Sequence, residues 1–377
     1  MTGAGLLPGD VAVRDSHPEN GYDLVLASSS GDRSTERITV IDQYLYDETG
    51  ALLELLAHPY TAIVSLTITE GGWGIPTSWE PDSAVGLVVG GLQARLAAGL
   101  APYTVLSCDN LQDNGRIARE CVVAAAELVE PGLGAWVRDQ VSFPGSMVDR
   151  ITPAPTDQSV VVAEPFRQWV IEDRFPLGRP AWERGGALLV DDVRPYELMK
   201  LRLLNAGHQA LAYPALLLGH ALVHDAVLDL APLLRAWWTE ARPTLEPVPG
   251  IDLDDYTATL LERFSNAQVA DTVARLASFA SDRVPAFVLP VVRDNLAAGR
   301  STRTGAFVVA AWALSLELPR EVVDNRELPT GEALLDDPVF DDVRDRLRTD
   351  FLRSLDDLRR DPLAAVSAAG AEQPGPR

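Results

Sequence analysis

Lysine is almost absent from this chain. Its 377 residues include one, Lys200, against 31 arginines. Arginine does on a surface nearly all that lysine does, but it does not give up its proton. A lysine retained in so lysine-poor a chain is a candidate for chemistry that needs a neutral amine, as a general base or a Schiff-base former. The plain alternative is a stray surface cation. Cysteine is scarce as well. Cys108 and Cys121 match no zinc spacing and form no secreted disulfide framework, so reduced thiols in a cytoplasmic protein are expected. The N-terminus carries neither the basic nor the long apolar segment of a signal peptide. No run of 18 apolar residues exists, and the nearest, 211–222, contains Pro214 and His220, so no membrane span is expected. Basic charge is in the minority: 32 Lys and Arg stand against 54 Asp and Glu, a net charge of −22. Such a field argues against nucleic acid and anionic membranes as partners.

What is present is a globular balance, 47% hydrophobic and 23% charged, in a chain long enough for two or three domains. The first part alternates strand and helix patterns. Strands are expected over 22–28, 37–41, 62–68 and 102–107, and helices over 83–98 and 116–128. This reads as an α/β domain with a parallel, Rossmann-like sheet over 1–158, its ligand sites at the carboxyl ends of the strands. The segments Thr69–Trp73 and Cys108–Gly115 fall there. A Pro-containing linker, 151–159, leads into an all-α domain over 159–367. Its helices are expected at 165–173, 193–214, 216–225, 231–240, 254–264, 269–280, 285–298, 305–317 and 338–361. A disordered tail is expected over 368–377, and the cleft between the domains is the expected site.

Lys200 lies in Pro195-Tyr-Glu-Leu-Met-Lys-Leu-Arg-Leu-Leu-Asn-Ala-Gly-His208. On a wheel of about 100° per residue, with Lys200 at 0°, Glu197, His208 and Asn205 fall at roughly 60°, 80° and 140°. Leucine and alanine surround this arc, so the helix is buried and its polar face needs partners or a wet cleft. One reading is a structural network with Glu197 paired to Lys200; the other is an active-site face.

These residues fit the Lys-x4-Asn-x2-His signature of the polyol-specific long-chain dehydrogenases, and the chain resembles that mannitol dehydrogenase family in further segments. They are Ser65-Leu-Thr-Ile-Thr-Glu-Gly-Gly72, Ser107-Cys-Asp-Asn110, Ser146-Met-Val-Asp-Arg-Ile-Thr-Pro153, Phe166-Arg-Gln-Trp-Val-Ile-Glu-Asp173 and Val248-Pro-Gly-Ile-Asp-Leu253. The resemblance implies metal-independent, NAD- or NADP-dependent interconversion of a sugar alcohol and a ketose. It implies Lys200 as general base, Asn110 and Asn205 as donors to the developing alkoxide, His208 as substrate-orienting residue and Glu197 as the link from Lys200 to solvent. Arg275 and Asp149 are implied at the substrate, and Thr69, Glu70, Asn110 and Asp149 at the cofactor. Burial lowers the pKa of such a lysine, whereas an anionic Glu197 raises it.

The family pattern opens with a strand and a Gly-rich turn, and the present sequence looks as if it starts after that unit. Gly3-Ala-Gly5 has a superficial Gly-x-Gly spacing, but Pro8 and Gly9 break any helix behind it. A longer natural N-terminus is expected, with a decayed relative as the alternative; in-frame upstream translation separates them. Within the family, a hexuronate reductase acting on fructuronate or tagaturonate is the alternative activity. It would need an arginine facing the substrate carboxylate, from Arg275, Arg283 or Arg293. A non-catalytic binding module is the alternative class, suggested by the Trp237-Trp238 pair, which core packing would equally explain. A Schiff-base lysine would be trapped by borohydride.

Overall fold

The structure is a computed structural model that describes residues 1–7, 21–46, 48–152, 160–319 and 322–371. The chain forms two compact units, Met1–Ala27 with Arg33–Glu197, and Ser28–Asp32 with Leu198–Arg377.

The strands of the first unit are β1 (Thr2–Gly5), β2 (Tyr22–Ala27), β3 (Arg33–Ile38), β4 (Gln43–Tyr46), β5 (Ile63–Leu66), β6 (Thr104–Ser107), β7 (Ser146–Asp149), β8 (Val160–Ala163), β9 (Gln168–Glu172) and β10 (Leu188–Val190). They form the groups β1-β4, β3-β2-β8, β5-β6 and β10-β9-β7. The β1-β4, β2-β8, β5-β6 and β9-β10 pairs are parallel, and β2-β3 and β7-β9 are antiparallel. Every residue of β6 is buried, as expected of a parallel strand covered on both faces. The covering helices are α1 (Thr49–Ala57), α2 (Ala84–Ala97), α3 (Asn114–Val129) and α4 (Pro131–Gln140). Their core joins Val88, Val89 and Leu92 to Tyr103, Val105, Val122 and Val137. Arg95 is buried on α2, but its guanidinium donates to the carbonyls of Ala101, His58 and Thr61. The charge therefore ties two loops to the sheet edge instead of being stranded.

Several expectations need correction here. Residues 165–173 hold strand β9 and no helix. Trp169, Val170 and Ile171 are aromatic or β-branched, and Val170 and Ile171 are fully buried between β7 and β10; the short apolar run fits a sheet interior better than a helix. Strands thus continue to Val190, past the expected boundary at 158. The strand expected at 37–41 lies at Arg33–Ile38. Gly3-Ala-Gly5 is extended within β1, paired with β4, so it is not a turn; Pro8 and Gly9 lie outside the described residues.

The helix along which the chain passes from the first unit into the second begins as α5 (Arg194–Met199), continues through a π-helical turn, Lys200–Asn205, and proceeds as α6 (Ala206–Leu217). Then come α7 (Val223–Ala241), α8 (Leu253–Phe264), α9 (Val273–Ala277), α10 (Ala280–Arg283), α11 (Leu289–Ala297), α12 (Arg303–Ser315), α13 (Arg344–Arg360) and α14 (Pro362–Ala371). The helix expected over 216–225 is interrupted at Gly219, whose φ of +79° ends α6, and by a bridge from Leu222 to Thr272. Positions 368–371 of the expected disordered tail are helical. Gly370 lies so close to α7 that a Cβ there would meet the Leu233 backbone nitrogen at 2.9 Å, and that packing holds the last turn. Residues 372–377 lie outside the described residues.

Candidate functional site

In the first unit the site is built at the carboxyl ends of β5 and β6. Their parallel register aligns Leu66 with Ser107, so Thr69–Trp73 and Cys108–Asn110 emerge at the same edge. One buried carboxylate, Asp109, joins the two segments. Its Oδ1 accepts from the Thr69 N–H at 2.9 Å, and its Oδ2 accepts from the Ile68 N–H at 3.1 Å and the Trp73 indole N–H at 2.7 Å. Thr69 has φ 61° and ψ 173°, a conformation that costs a β-branched residue roughly 1–3 kcal/mol unless its surroundings fix it. Asp109 supplies that fixation with three charge-assisted bonds. The expected cofactor residue Thr69 is thus held beside Asn110, which is exposed. Glu70 begins the short turn Glu70–Trp73, and its side chain lies outside the described residues. The backbone of Gly71 faces open space, which leaves room for a cofactor to approach this edge.

Asn114 extends the arrangement to β7. Its Nδ2 donates to the carbonyls of Asp109 and Ser146 at 3.0 and 2.7 Å, and its Oδ1 accepts from the Ser146 N–H at 3.0 Å. Ser146 opens the strand that ends in Asp149, which is buried. Three expected residues, Thr69, Asn110 and Asp149, therefore share one hydrogen-bonded scaffold. The residues that make it, Asp109 and Asn114, were not singled out by the sequence reading. Their signal was the acid inside Ser107-Cys-Asp-Asn110 and the amide that follows it. We expect Asp109→Asn, which puts a donor where two N–H groups converge, to weaken NAD binding about tenfold or more while the fold persists. Titration of intrinsic tryptophan fluorescence with NAD checks this; an unchanged dissociation constant would contradict the clamp. Burial pushes the Cys108 and Cys121 thiols up to about 11, so neither is a nucleophile near neutrality.

Glu197, at the end of this unit, is also buried. Its Oε2 accepts from the Asp113 N–H at 3.2 Å, and its Oε1 has no hydrogen-bond partner among the described residues. It lines a cavity of about 550 Å³ with Asp113, Arg116, Gly145, Glu172 and Arg194. Burial first, then the carboxylates of Asp113, Glu172 and Asp192, raise its pKa from 4.5 to about 7, against the bond from Asp113 that lowers it. The unfolded chain releases this proton near 4.5 and the folded chain near 7, so stability falls as pH rises through that window and levels off above it. Glu197→Gln removes the effect. Its melting temperature relative to the parent should rise between pH 5 and pH 8, by the equivalent of about 2–3 kcal/mol; a pH-independent difference would show the carboxyl to be ordinary.

In the second unit Lys200 is buried at the first position of the π-helical turn. In a π-helix the bonding repeat is five residues. Asn205 therefore lies one turn beyond Lys200 and nearly above it, not at the roughly 140° that an α-helical wheel assigns. The lysine and the amide share a face more closely than the sequence alone implies. His208 follows on α6, its ring stacked on Phe264 at 4.6 Å between centroids. Gln209 Nε2 donates to the Leu276 carbonyl at 3.2 Å, tying α6 to α9, the helix that carries Arg275. The Arg275 guanidinium is held by Asp271, with Nε to Oδ1 at 2.6 Å.

A Rossmann-type α/β unit followed by a helical unit that displays a buried lysine, an asparagine and a histidine along one helix is the layout of a two-domain dehydrogenase. Residues 8–184 match the mannitol dehydrogenase Rossmann domain, and residues 192–347 match the mannitol dehydrogenase C-terminal domain. The chain is 38% identical to mannitol 2-dehydrogenase of Cereibacter sphaeroides over 350 residues, covering 83% of this chain and 73% of that protein. It is 37% identical to mannitol 2-dehydrogenase of Aspergillus fumigatus over 358 residues, covering 83% and 71%. Among solved structures, Pseudomonas fluorescens mannitol 2-dehydrogenase in ternary complex with NAD and D-mannitol superposes with a TM-score of 0.86 at 35% identity, over 99% of this chain and 88% of that one. A substrate-free D-sorbitol dehydrogenase gives 0.86 at 29% identity, over 97% and 88%. The chain belongs to the mannitol dehydrogenase family.

Proposed function

We propose that Lys200 is the general base of a sugar alcohol–ketose interconversion. Family membership makes the protein an NAD-dependent polyol dehydrogenase, with mannitol 2-dehydrogenases among its relatives. The observation that carries the lysine's role is its placement: a buried amine at the head of a π-turn, with an asparagine one turn on. Burial disfavours the ammonium form and so favours the neutral amine a base requires. In the oxidising direction the Lys200 Nζ takes the proton of the substrate hydroxyl. The amide N–H groups of Asn205 and Asn110 donate to the oxygen as it becomes an alkoxide and then a carbonyl. His208, its ring fixed by Phe264, orients a neighbouring hydroxyl. Glu197, with a pKa of about 7 and an oxygen that has no hydrogen-bond partner among the described residues, passes the proton between Lys200 and the water side. NAD, when bound, supplies the hydride acceptor; Thr69, Glu70, Asn110 and Asp149 are the residues that would hold it. Arg275 and Asp149 contact the substrate.

A neutral polyol fits better than a hexuronate. An acid substrate would need a guanidinium available to its carboxylate. Asp271 neutralises Arg275, which suits it to a substrate hydroxyl and not to a carboxylate, Arg293 pairs with Asp342, and Arg283 donates to the carbonyls of Arg275 and Leu276. The test follows NADH absorbance with a panel of hexitols and pentitols, their ketoses, and fructuronate and tagaturonate. Turnover confined to the polyol–ketose pairs is expected; preference for the uronates would install the alternative.

A further inference from the structure

The π-turn that aligns Lys200 with Asn205 has a displaced carbonyl, and a tryptophan meets it. The Ala206 N–H donates to the Leu201 oxygen, five residues back. In an uninterrupted α-helix that N–H would go to Arg202, four residues back. The extra residue therefore deprives the Arg202 carbonyl of its usual donor, which is the general cost of a π-bulge in a buried helix. The Trp237 indole N–H donates to this oxygen at 3.0 Å, and the Trp238 indole N–H donates to the next one, that of Leu203, also at 3.0 Å. Both rings are buried on α7. The pair reads from sequence as either an interface or core filling. Its two N–H groups instead converge on two successive carbonyls of the turn that carries the lysine.

We propose that Trp237 is a positioning residue for the dehydrogenase reaction. By satisfying the carbonyl that the π-turn displaces, its indole N–H keeps the turn from relaxing to an α-helix, and so holds the Lys200 amine and the Asn205 amide on one face. Trp238 supports the same turn from the adjacent carbonyl. The proposal rests on Lys200 and Asn205 acting as argued above. A relaxed turn would rotate Asn205 away from Lys200 and leave the oxyanion donor and the base misaligned, a fault of the chemical step and not of substrate binding.

The molecule provides its own control. Trp312 on α12 is fully buried like Trp237, but its indole nitrogen has no hydrogen-bond partner among the described residues. Trp237→Phe and Trp312→Phe each exchange an indole for a smaller ring, and the former alone removes a bond to the π-turn. With the full chain, NAD and its best polyol, Trp237→Phe should lower kcat at least tenfold with KM within about twofold, and shift the pH profile of kcat. Trp312→Phe should leave both nearly unchanged at a comparable loss of melting temperature. Equal effects of the two variants, or a rise in KM alone, overturn the proposal. Should Trp237→Phe fail to fold, hydrogen exchange of the indole N–H groups in the parent protein decides: slow exchange at Trp237 supports the bond, and exchange as fast as a solvent-exposed indole overturns it. Lys200→Met run in the same assay separates the two readings. If it retains activity, both fail; if it is inactive while Trp237→Phe behaves as Trp312→Phe, the positioning role alone fails.

Discussion

Lys200→Met should reduce kcat by about 10²–10⁴-fold, the range that a positioned general base contributes. Methionine keeps the unbranched apolar stem in the same buried space, so the fold should survive with an unchanged far-ultraviolet circular dichroism spectrum. KM should change little, because the lost proton transfer belongs to the transition state. The pH profile offers a sharper check. The parent should show an ionisation in kcat/KM from the base and its coupled carboxyl. The variant should instead climb steadily with pH, as hydroxide takes over the role of the amine. Residual activity with an unaltered ionisation would assign the base to another group. The chain's one lysine makes the experiment clean, since no neighbouring amine can substitute for it.

Asn205→Ala should cost about 10²–10³-fold in kcat, the usual effect of deleting one oxyanion donor, on the order of 3–4 kcal/mol of barrier. Asn110→Ala should give a loss of the same kind. If both donate to the same oxygen, as proposed, their double variant should fall short of the product of the single losses. Asn205→Asp should be worse than alanine, because it places a carboxylate where negative charge develops. Steady-state rates with the preferred polyol, at saturating NAD, check each value. A kcat within threefold of the parent for Asn205→Ala would remove that amide from the reaction.

Much of this was legible from residue types and spacing. The Lys200–His208 face was visible because polar residues interrupt a run of leucine and alanine. The carboxyl edge of β5 and β6 was visible because two apolar runs end in Gly- and Asp-containing turns. Three features were not. The π-turn has no sequence signature, because insertion of a helical residue leaves composition and burial unchanged. Strand β9 was hidden because its apolar run of three residues, Trp169 to Ile171, carries no period that separates strand from helix. Asp109 was overshadowed by Asn110: its importance lies in contacts with Ile68, Thr69 and Trp73 about forty residues away, which no local pattern reports.

The bulged turn also changes how this helix should be compared with any straight one. Positions before Lys200 and after Asn205 keep ordinary α-helical phase, but the two halves are offset from each other by one inserted step. An alignment or a graft that treats 194–217 as a single continuous wheel will assign every side chain beyond the turn to the wrong direction. Straightening the turn with all its residues kept would swing His208 by about 100°, whereas removing one residue between 200 and 205 would close the bulge and leave His208 facing as it does.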